Sequence, residues 1–485
     1  MRPLVVLHYS ALLLMGIGLT MFLPLGFSLY YGESDTTAFA TSIAITVGTG
    51  LLLFFSTPRG KGTPISQREA LALVSLSWIL ASLIGSLPYQ LAGVFPNYID
   101  CLFESTSGFT TTGASVMDSI ESQPHGILIW RNFTQWLGGM GIVVLFVSLF
   151  PLLGVGTAYL FEAESPGPEV QKLRAHIRDT SRTIWILYAG LTALEVLLLL
   201  LVGRLSFFDS LCHSFSTMAI GGFSTQNASI GAFDSLNINI IVICFMFMAG
   251  INFALYYSLL WRRTWKTFWT NTEFRLYAFI MLSACLLIAW DLIANADYPT
   301  GKAFEEAAFT GASIQTTTGF SISNFDLWPS FSRLALLVLM IIGASAGSTG
   351  GGMKVIRIAV LAKYAYRQIR IAFNPQAVIP LKLGGRVLSE KVVSRTVGFA
   401  ILYLGVIASG ALIMSALGYD FTTAISSVVA AVGNIGPGLG LVGPSENYAF
   451  ISGPGKAVLM FCMLIGRLEL LTMLALFTPV FWRWR

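Results

Sequence analysis

The chain has 485 residues, of which 55% are hydrophobic and 11% are charged, and its mean hydropathy is +0.73. Soluble proteins carry about 25% charged residues, so this composition excludes a soluble enzyme, a nucleic-acid-binding protein and a disordered chain. The net charge of +5 is too small to indicate a polyanionic partner, and the five cysteines show no metal-ligand spacing.

Ten mostly apolar runs are each long enough to cross a bilayer as a helix, which takes about 20 residues. A second run follows the first within six residues, so we interpret the first as a retained helix and not a signal peptide. The ten predicted spans are Leu4–Tyr30, Thr36–Phe55, Glu69–Gly93, Ile127–Leu160, Thr183–Gly203, Asn237–Leu260, Leu276–Ile293, Leu334–Leu361, Val397–Gly418 and Ala457–Phe481.

The basic residues predict the orientation, because cytoplasmic loops of membrane proteins are enriched in Lys and Arg. With the N-terminus inside, 23 of the 29 Lys and Arg residues lie on the cytoplasmic side, five lie outside, and Arg467 lies within the last span. Both termini are therefore predicted to be cytoplasmic, which ten spans satisfy.

Four outside connections are themselves apolar and share one pattern, in which a residue suited to a helix start precedes a glycine by 13 positions. The predicted capping residues are Asp100, Asp209, Glu306 and Thr423. The glycines are Gly113, Gly222, Gly319 and Gly436. Each cap is predicted to begin a helix of about 15 Å, half a bilayer, that returns as extended chain. Ordinary surface loops do not repeat in this way, so we interpret the pattern as an internal fourfold repeat.

The predicted helices direct their partially negative C-terminal ends toward the membrane centre, where they favour a cation. The chain that follows offers consecutive backbone carbonyls, and rings of such carbonyls replace the hydration shell of K⁺. We therefore predict a K⁺-binding filter. Its residues are Thr111, Thr112, Gly113, Ile220, Gly221, Gly222, Thr317, Thr318, Gly319, Asn434, Ile435 and Gly436.

Four motifs give the chain a family resemblance that covers essentially its whole length. They are GFTTTGAS at 108–115, AIGGFST at 219–225, TTTGFS at 316–321 and NIGPGLG at 434–440. With these motifs the chain resembles the Trk/Ktr/HKT superfamily of potassium transporters, in the branch of the bacterial Trk membrane subunits. Some plant relatives carry serine at the first filter glycine and favour Na⁺, so Gly113 favours K⁺. The second and fourth filters depart from TTTG, and we expect moderate selection of K⁺ over Na⁺.

The resemblance implies K⁺ uptake across the bacterial inner membrane, through a K⁺-selective pore that also passes Rb⁺. It further implies a homodimer and a cytoplasmic TrkA-type RCK regulator that binds NAD(H) or ATP/ADP, so that this chain itself carries no cofactor.

The predicted fold is an all-α integral membrane protein with ten transmembrane helices. Eight of them form four helix–half-helix–filter–helix units around one pore. The predicted units are an N-terminal two-helix hairpin at 1–60 and pore repeats at 61–165, 166–265, 266–375 and 376–485.

The segment 343–352 consists of ten small residues, of which five are glycines. Each interior glycine costs a helix about 1 kcal/mol, so the span Leu334–Leu361 is predicted to break here. A nucleotide-binding loop would need a Gly-Lys-Ser/Thr ending that is missing, whereas close helix packing stays an alternative. We predict an intramembrane loop that blocks the inner cavity. The gate residues are Gly343, Gly347, Ser348, Thr349, Gly350, Gly351, Gly352 and Arg467.

Arg467 lies near the middle of the last span, where a charge costs from a few kcal/mol upward and faces a cavity or a partner. We predict that it faces the permeation path, as an electrostatic barrier and an anchor for the gate loop. Glu469 and Glu195 are alternative partners.

Coupled transport of K⁺ with H⁺ or Na⁺ is the alternative function, and Glu104, His213 and Glu195 are its candidate proton relay. The charges of Asp100, Glu104 and Asp209 either concentrate cations at the outer mouth or serve local structure. The basic stretch 354–395 either rests on anionic lipid or docks the regulator. An organic-solute transporter with inverted repeats is disfavoured, because all four filters lie on the same side.

Overall fold

The computed structural model describes residues 2–57, 66–141, 177–260, 263–468 and 470–479. These residues are helical apart from loops, short 3-10 turns and one antiparallel hairpin, which confirms the all-helical class. The hairpin pairs β1 (Lys382–Leu383) with β2 (Arg386–Val387). The helices of the described chain are α1 Pro3–Thr20, α2 Phe22–Tyr31, α3 Thr36–Ser56, α4 Gln67–Gly85, α5 Leu87–Leu91, α6 Tyr98–Phe109, α7 His125–Gly139, α8 Ile177–Leu201, α9 Phe207–Ala219, α10 Leu236–Ala249, α11 Phe253–Leu260, α12 Trp265–Thr270, α13 Thr272–Asn295, α14 Thr300–Thr316, α15 Ser330–Ile342, α16 Val355–Phe373, α17 Glu390–Ala416, α18 Phe421–Gly433, α19 Gly453–Arg467 and α20 Leu470–Leu476.

Within the described residues, six helical segments are long and apolar enough to cross a membrane, and the bent pair α10–α11 would be a seventh. The predicted count of ten is therefore not reached in this part of the chain. The six segments are Pro3–Tyr31, Thr36–Ser56, Arg68–Leu91, Thr183–Leu201, Thr272–Asn295 and Glu390–Ala416.

Besides Asn237–Leu260, which is the bent pair α10–α11, three predicted spans do not appear as single long helices. The run Ile127–Leu160 begins as α7 and continues outside the described residues. The run Leu334–Leu361 is divided into α15 and α16 by the glycine-rich segment, as its composition predicts. The run Ala457–Phe481 is divided into α19 and α20, and Glu469 between them lies outside the described residues.

The helices α10 and α11 meet at an angle of 92°, a bend that the sequence analysis did not predict. The glycine-rich loop lies in this bend. The N–H of Ser345 donates to the carbonyl of Gly250 at 3.2 Å, and the N–H of Phe253 donates to the carbonyl of Gly347 at 3.0 Å. Because these bonds pair backbone groups at the break, the loop and the bend stabilise each other.

The short helices α6, α9, α14 and α18 form the centre of the molecule. Every residue of α9 from Cys212 to Ala219 is buried, whereas only 22% of the apolar window in Thr183–Leu201 is buried. The long helices thus surround the short ones with apolar, exposed faces. Helix ends at membrane depth occur where protein or a water-filled path surrounds them.

The predicted capping residues are wrong. The residues that precede the four short helices are Asn97, Ser206, Pro299 and Asp420. The residues Asp100, Asp209 and Thr423 each occupy the third helical position, and Glu306 lies in the second turn. The first turn favours a carboxylate almost as the cap does, so Asp100 and Asp209 did not mark the starts of their helices. The helices consequently contain 12, 13, 17 and 13 residues, more than the sequence analysis assigned.

Candidate ion pathway

Each short helix ends in the same backbone turn. One residue adopts the left-handed conformation, and the next donates its N–H to the carbonyl five positions back, at 2.8 to 3.0 Å. A glycine with φ between 79° and 101° follows immediately. The left-handed residues are Thr111, Ile220, Thr317 and Asn434, and the glycines are Gly113, Gly222, Gly319 and Gly436. The long backbone bond is that of a Schellman motif, so the four predicted filter segments share one local geometry.

The four turns meet in a closed ring. A Cβ built on Gly113 would collide with the carbonyl oxygen of Gly221, in the second turn. In the same way, Gly222 abuts the carbonyl of Thr318 and Gly319 abuts that of Ile435. A Cβ on Gly436 would lie 2.8 Å from the carbonyl oxygen of Thr112, which returns the ring to the first turn. Only glycine permits this approach, and the ring brings together carbonyls from four distant parts of the chain.

Side-chain hydrogen bonds within and between the turns stabilise the ring. The hydroxyls of Thr110 and Thr112 lie 2.8 Å apart, and those of Thr316 and Thr318 lie 2.7 Å apart. The amide of Asn434 donates to the Thr112 hydroxyl at 3.0 Å and so joins the fourth turn to the first. Two further stabilising residues, Gln135 and Tyr448, were missed by the sequence analysis. Neither belongs to a repeated motif, so no pattern in one sequence marks them.

A buried ion pair joins the segments that follow the first two turns. Glu104 and Arg131 are 0% and 1% exposed, and Arg131 Nε donates to Glu104 Oε1 at 2.5 Å. The carboxylate also accepts from the N–H of Val116 at 2.9 Å, and Arg131 Nη1 donates to the carbonyl of Ser224 at 2.8 Å. Glu104 therefore joins the segments that follow two turns and does not present its charge to an outer mouth.

The other two candidate mouth charges are also engaged. Asp100 forms an ion pair with Lys456, with a separation of 2.5 Å between Oδ1 and Nζ, and both side chains are buried. Asp209 accepts hydrogen bonds from the hydroxyls of Ser206 and Thr225 at 2.7 Å. All three carboxylates thus have local partners, and those of Asp100 and Glu104 are paired with cations.

The glycine-rich loop lies directly below the ring, against the C-terminal ends of the short helices. Thr349 Oγ1 donates to the carbonyl of Met218 near the end of α9 at 3.1 Å, and the N–H of Gly351 donates to Thr317 Oγ1 at 2.8 Å. A Cβ on Gly350 would lie 3.0 Å from the carbonyl of Thr316, the last residue of α14. Gly351 likewise abuts the carbonyl of Gly433, the last residue of α18. The loop thus contacts three of the four helix ends.

Arg467 joins this loop to α7. Its guanidinium donates to the carbonyl of Thr349 at 2.7 Å and to the carbonyls of Gly138 and Gly139 at 2.5 and 2.8 Å. The guanidinium also lies 5.8 Å from the centre of the Trp78 ring. These contacts join the loop to α7, and the role of Arg467 as an anchor of a gate stays a prediction. A role as an electrostatic barrier stays a prediction.

A protein-family model described as TrkH, cation transport protein, matches residues 35–483. The chain belongs to this family. The Trk system potassium uptake protein TrkH of Salmonella typhimurium is 41% identical over 470 residues, which is 96% of each chain. The Trk system potassium uptake protein TrkG of Escherichia coli is 31% identical over 481 residues, 99% of this chain and 98% of its own.

Among solved structures, the crystal structure of the potassium transporter TrkH from Vibrio parahaemolyticus matches 100% of both chains. Its TM-score is 0.89 and its sequence identity is 36%. Membership of the TrkH family and the apolar helices together identify a multi-pass membrane protein.

In this TrkH-family chain the three candidates for a proton relay do not form a chain of hydrogen bonds within the described residues. Glu104 is bonded to Arg131. His213 bonds the carbonyl of Asp209 through Nδ1 at 2.8 Å and the Ser224 hydroxyl through Nε2 at 2.9 Å. These are the contacts of a packed histidine. Glu195 is fully buried, and neither carboxylate oxygen has a hydrogen-bond partner of normal geometry.

Proposed function

We propose that this protein takes up K⁺ across the bacterial inner membrane through a K⁺-selective pore that also passes Rb⁺. The closed ring of four equivalent turns is the observation that carries this proposal, because it gathers backbone carbonyls around one axis. The four helix ends add their partial negative charge on the inner side. The relatives named as Trk system potassium uptake proteins support K⁺ as the ion.

We propose ten transmembrane helices in all, with both termini in the cytoplasm. The units 61–165, 166–265, 266–375 and 376–485 each supply one turn. Some of their boundaries lie outside the described residues, so they rest on the sequence pattern and on the distribution of basic residues.

The gate in this proposal is the loop 343–352 held by Arg467. In its present position the loop lies across the inner ends of three short helices, so an ion that leaves the ring inward meets the loop first. Movement of the loop away from Thr317 and Met218 opens the path. The hydrogen bonds to Arg467 and to the α10–α11 bend hold it closed.

The proposed partners are a second copy of this chain, in a homodimer, and a cytoplasmic RCK-type regulator of the TrkA class. The regulator binds NAD(H) or ATP/ADP, and this chain binds neither. The basic stretch 354–395 supports a docking surface, since Glu390 is its only acidic residue. One of its arginines, Arg367, is paired with Glu390 at 2.5 Å.

A second candidate function is transport of K⁺ coupled to H⁺ or Na⁺. One observation favours it. Glu195 of α8 is a buried carboxyl, and it lies beside Thr217 of α9, the short helix that ends at the second turn. A carboxyl at this depth is by default a functional candidate. The missing links to His213 and Glu104 make it the weaker proposal.

Uptake of radioactive Rb⁺ into K⁺-loaded liposomes tests the proposed function. The protein should raise uptake over empty liposomes, and external K⁺ should suppress it far more than external Na⁺. The variant that lacks residues 348–351 is measured beside the natural chain, so that a closed gate is not mistaken for a missing pore. Absence of uptake with both proteins, or equal suppression by K⁺ and Na⁺, would contradict the proposal.

A further inference from the structure

The four turns of the ring have the same backbone but differ in what contacts their carbonyls. The ring order places the first turn opposite the third, and the second opposite the fourth. Within the first turn the hydroxyls of Thr110 and Thr112 pair with each other, and within the third turn those of Thr316 and Thr318 do the same. Among the described residues, no side chain donates a hydrogen bond to any of the four carbonyls at the glycine ends of these two turns. Those carbonyls belong to Thr112, Gly113, Thr318 and Gly319.

The second and fourth turns each have one carbonyl engaged by a side-chain donor. Gln135 Nε2 of α7 donates to the carbonyl of Gly221 at 2.7 Å, and its Oε1 accepts from the N–H of Phe223 at 3.1 Å. One amide therefore clamps the second turn on both sides of Gly222. The Tyr448 hydroxyl donates to the carbonyl of Gly436 at 2.7 Å.

Both donors are themselves held rigidly. Gln135 is 0% exposed, and Tyr448 is 3% exposed with its ring centre 5.7 Å from that of Phe103. The N–H of Tyr448 donates to the carbonyl of Ser115 at 2.8 Å, so the residue also joins the fourth turn to the chain after the first. Neither side chain can leave its carbonyl without breaking a second contact.

A donor at a carbonyl has two effects on a cation that binds there. Its positive end opposes the cation and so lowers the field that the oxygen offers, and the bond keeps the oxygen from moving inward. A weaker field and a ring that does not contract both disfavour the smaller ion, Na⁺. The donors therefore act in the same direction whether selection rests on field strength or on size.

We propose that Gln135 and Tyr448 are specificity-determining residues of the ring, which favour K⁺ over Na⁺ by holding the Gly221 and Gly436 carbonyls. The cation site then has twofold character, with the free carbonyls of the first and third turns as its stronger ligands. This inference rests on the proposed function, since it assumes that the ring conducts K⁺.

The test compares Gln135→Met and Tyr448→Phe with the natural chain by reversal potential, with K⁺ on one side of a bilayer and Na⁺ on the other. Each variant should raise the Na⁺/K⁺ permeability ratio about fivefold, the change expected from loss of one hydrogen bond. The double variant should raise the ratio further. All proteins are measured in the background that lacks residues 348–351, so that gating does not limit the current.

Two matched controls keep the result specific to the ring. Tyr403→Phe removes a buried hydroxyl that bonds no partner in the described structure. Asn239→Leu removes a buried amide of α10 that donates to Glu305 Oε1 at 2.8 Å. Both should leave the permeability ratio unchanged, and an equal change in either control would overturn the inference.

Thermal unfolding in K⁺ and in Na⁺ supplies a readout that does not need current. The natural chain should be more stable in K⁺, and this difference should shrink in Tyr448→Phe, which removes one oxygen atom and keeps the packing. If folded Tyr448→Phe has the permeability ratio of the natural chain and the same difference in stability between K⁺ and Na⁺, the inference is refuted. The proposed function still holds in that case, provided that the natural chain is K⁺-selective. A natural chain without K⁺ selectivity would refute both.

Discussion

At the scale of single residues, the ring requires backbone conformations that most side chains resist. The left-handed region costs a non-glycine residue roughly 1–2 kcal/mol, yet Ile220 and Thr317 occupy it. The backbone bond that closes each turn offsets part of this cost, and both residues are buried. Asn434 tolerates the same region more easily. Strain of this kind is found where function requires an exact position.

Gly113 is the residue at which the ring is most sensitive to a side chain. Its φ is 79°, and a Cβ there would collide with the Gly221 carbonyl. We expect Gly113→Ser to displace the second turn and to shift the reversal potential between K⁺ and Na⁺ toward zero. Gly48→Ser is the control, because a Cβ at Gly48 meets no atom within 4 Å. Unchanged selectivity in folded Gly113→Ser would contradict the role of the first turn.

The pair of Glu104 and Arg131 is predicted to stabilise the fold. Arg131→Met leaves the Glu104 carboxylate buried without its cation, and should lower the free energy of unfolding by about 3–5 kcal/mol. The double variant Glu104→Gln with Arg131→Met should recover part of the loss. Thermal unfolding in detergent measures both. A double variant that is less stable than either single variant would show that the two side chains act separately.

The glycines could be predicted from the sequence, whereas the residues that support them could not. Four glycines at a fixed distance from a suitable helix start are a pattern that one sequence contains. The bonds of Gln135 to Gly221 and of Glu104 to Arg131 join residues 86 and 27 positions apart, and neither recurs in the described parts of the other repeats. A residue defined by a single tertiary contact has no periodicity to mark it.

At the scale of elements, the four short helices share an end but begin in different ways. Ser206 accepts from the N–H of Asp209, and Asp420 accepts from two backbone N–H groups of α18. Asn97 and Pro299 precede their helices without a side-chain cap. The four helices thus share their C-terminal turn and differ in how their N-termini are capped.

Asp420 provides a test of capping with a defined pH dependence. The Thr423 hydroxyl and the N–H groups of Thr422 and Thr423 hold the pKa of Asp420 below its ordinary value of 3.8. Since the folded-state pKa is the lower one, the carboxylate stabilises the protein above pH 3.8, and the contribution is lost as the pH falls through the folded-state pKa. Asp420→Ala should cost about 1 kcal/mol at neutral pH.

The variant Asp420→Asn keeps a capping oxygen that does not titrate, and it serves as the reference. The difference in Tm between the natural chain and Asp420→Asn should be constant from pH 7 to about pH 4 and should fall below that. A difference that stays constant down to pH 3 would show that the Asp420 carboxylate does not stabilise α18 through its charge.

The glycine-rich loop is the element whose removal should change transport most. Deletion of residues 348–351 removes the bonds to Met218, Thr317 and Arg467, and should raise basal flux. Arg467→Ala should raise flux to a smaller extent, because it frees one end of the loop and leaves the loop in place. Arg333→Ala, which removes a half-exposed arginine at the start of α15, is the control. A folded deletion variant with unchanged flux would give the loop a packing role.

At the scale of the whole molecule, hydropathy predicts the all-helical membrane class correctly and fails where helices break, whereas the orientation predicted from the basic residues stays a prediction. The break in Leu334–Leu361 was predicted, because five glycines mark it locally. The 92° bend between α10 and α11 was not, since the loop that stabilises it lies about 100 residues away in the sequence. The closure of the ring was likewise not predictable from local sequence, because the glycine of each turn contacts a carbonyl in the turn of another repeat.

A reversal potential shows whether the ring is a K⁺-selective path. The purified protein lacking residues 348–351 is placed in a bilayer with K⁺ on one side and Na⁺ on the other, with and without a pH gradient. We predict a potential near the K⁺ equilibrium value that does not change with the pH gradient. A potential that follows the pH gradient would contradict a K⁺-selective path and would favour coupled transport through Glu195, and a potential of zero would exclude selection by the ring.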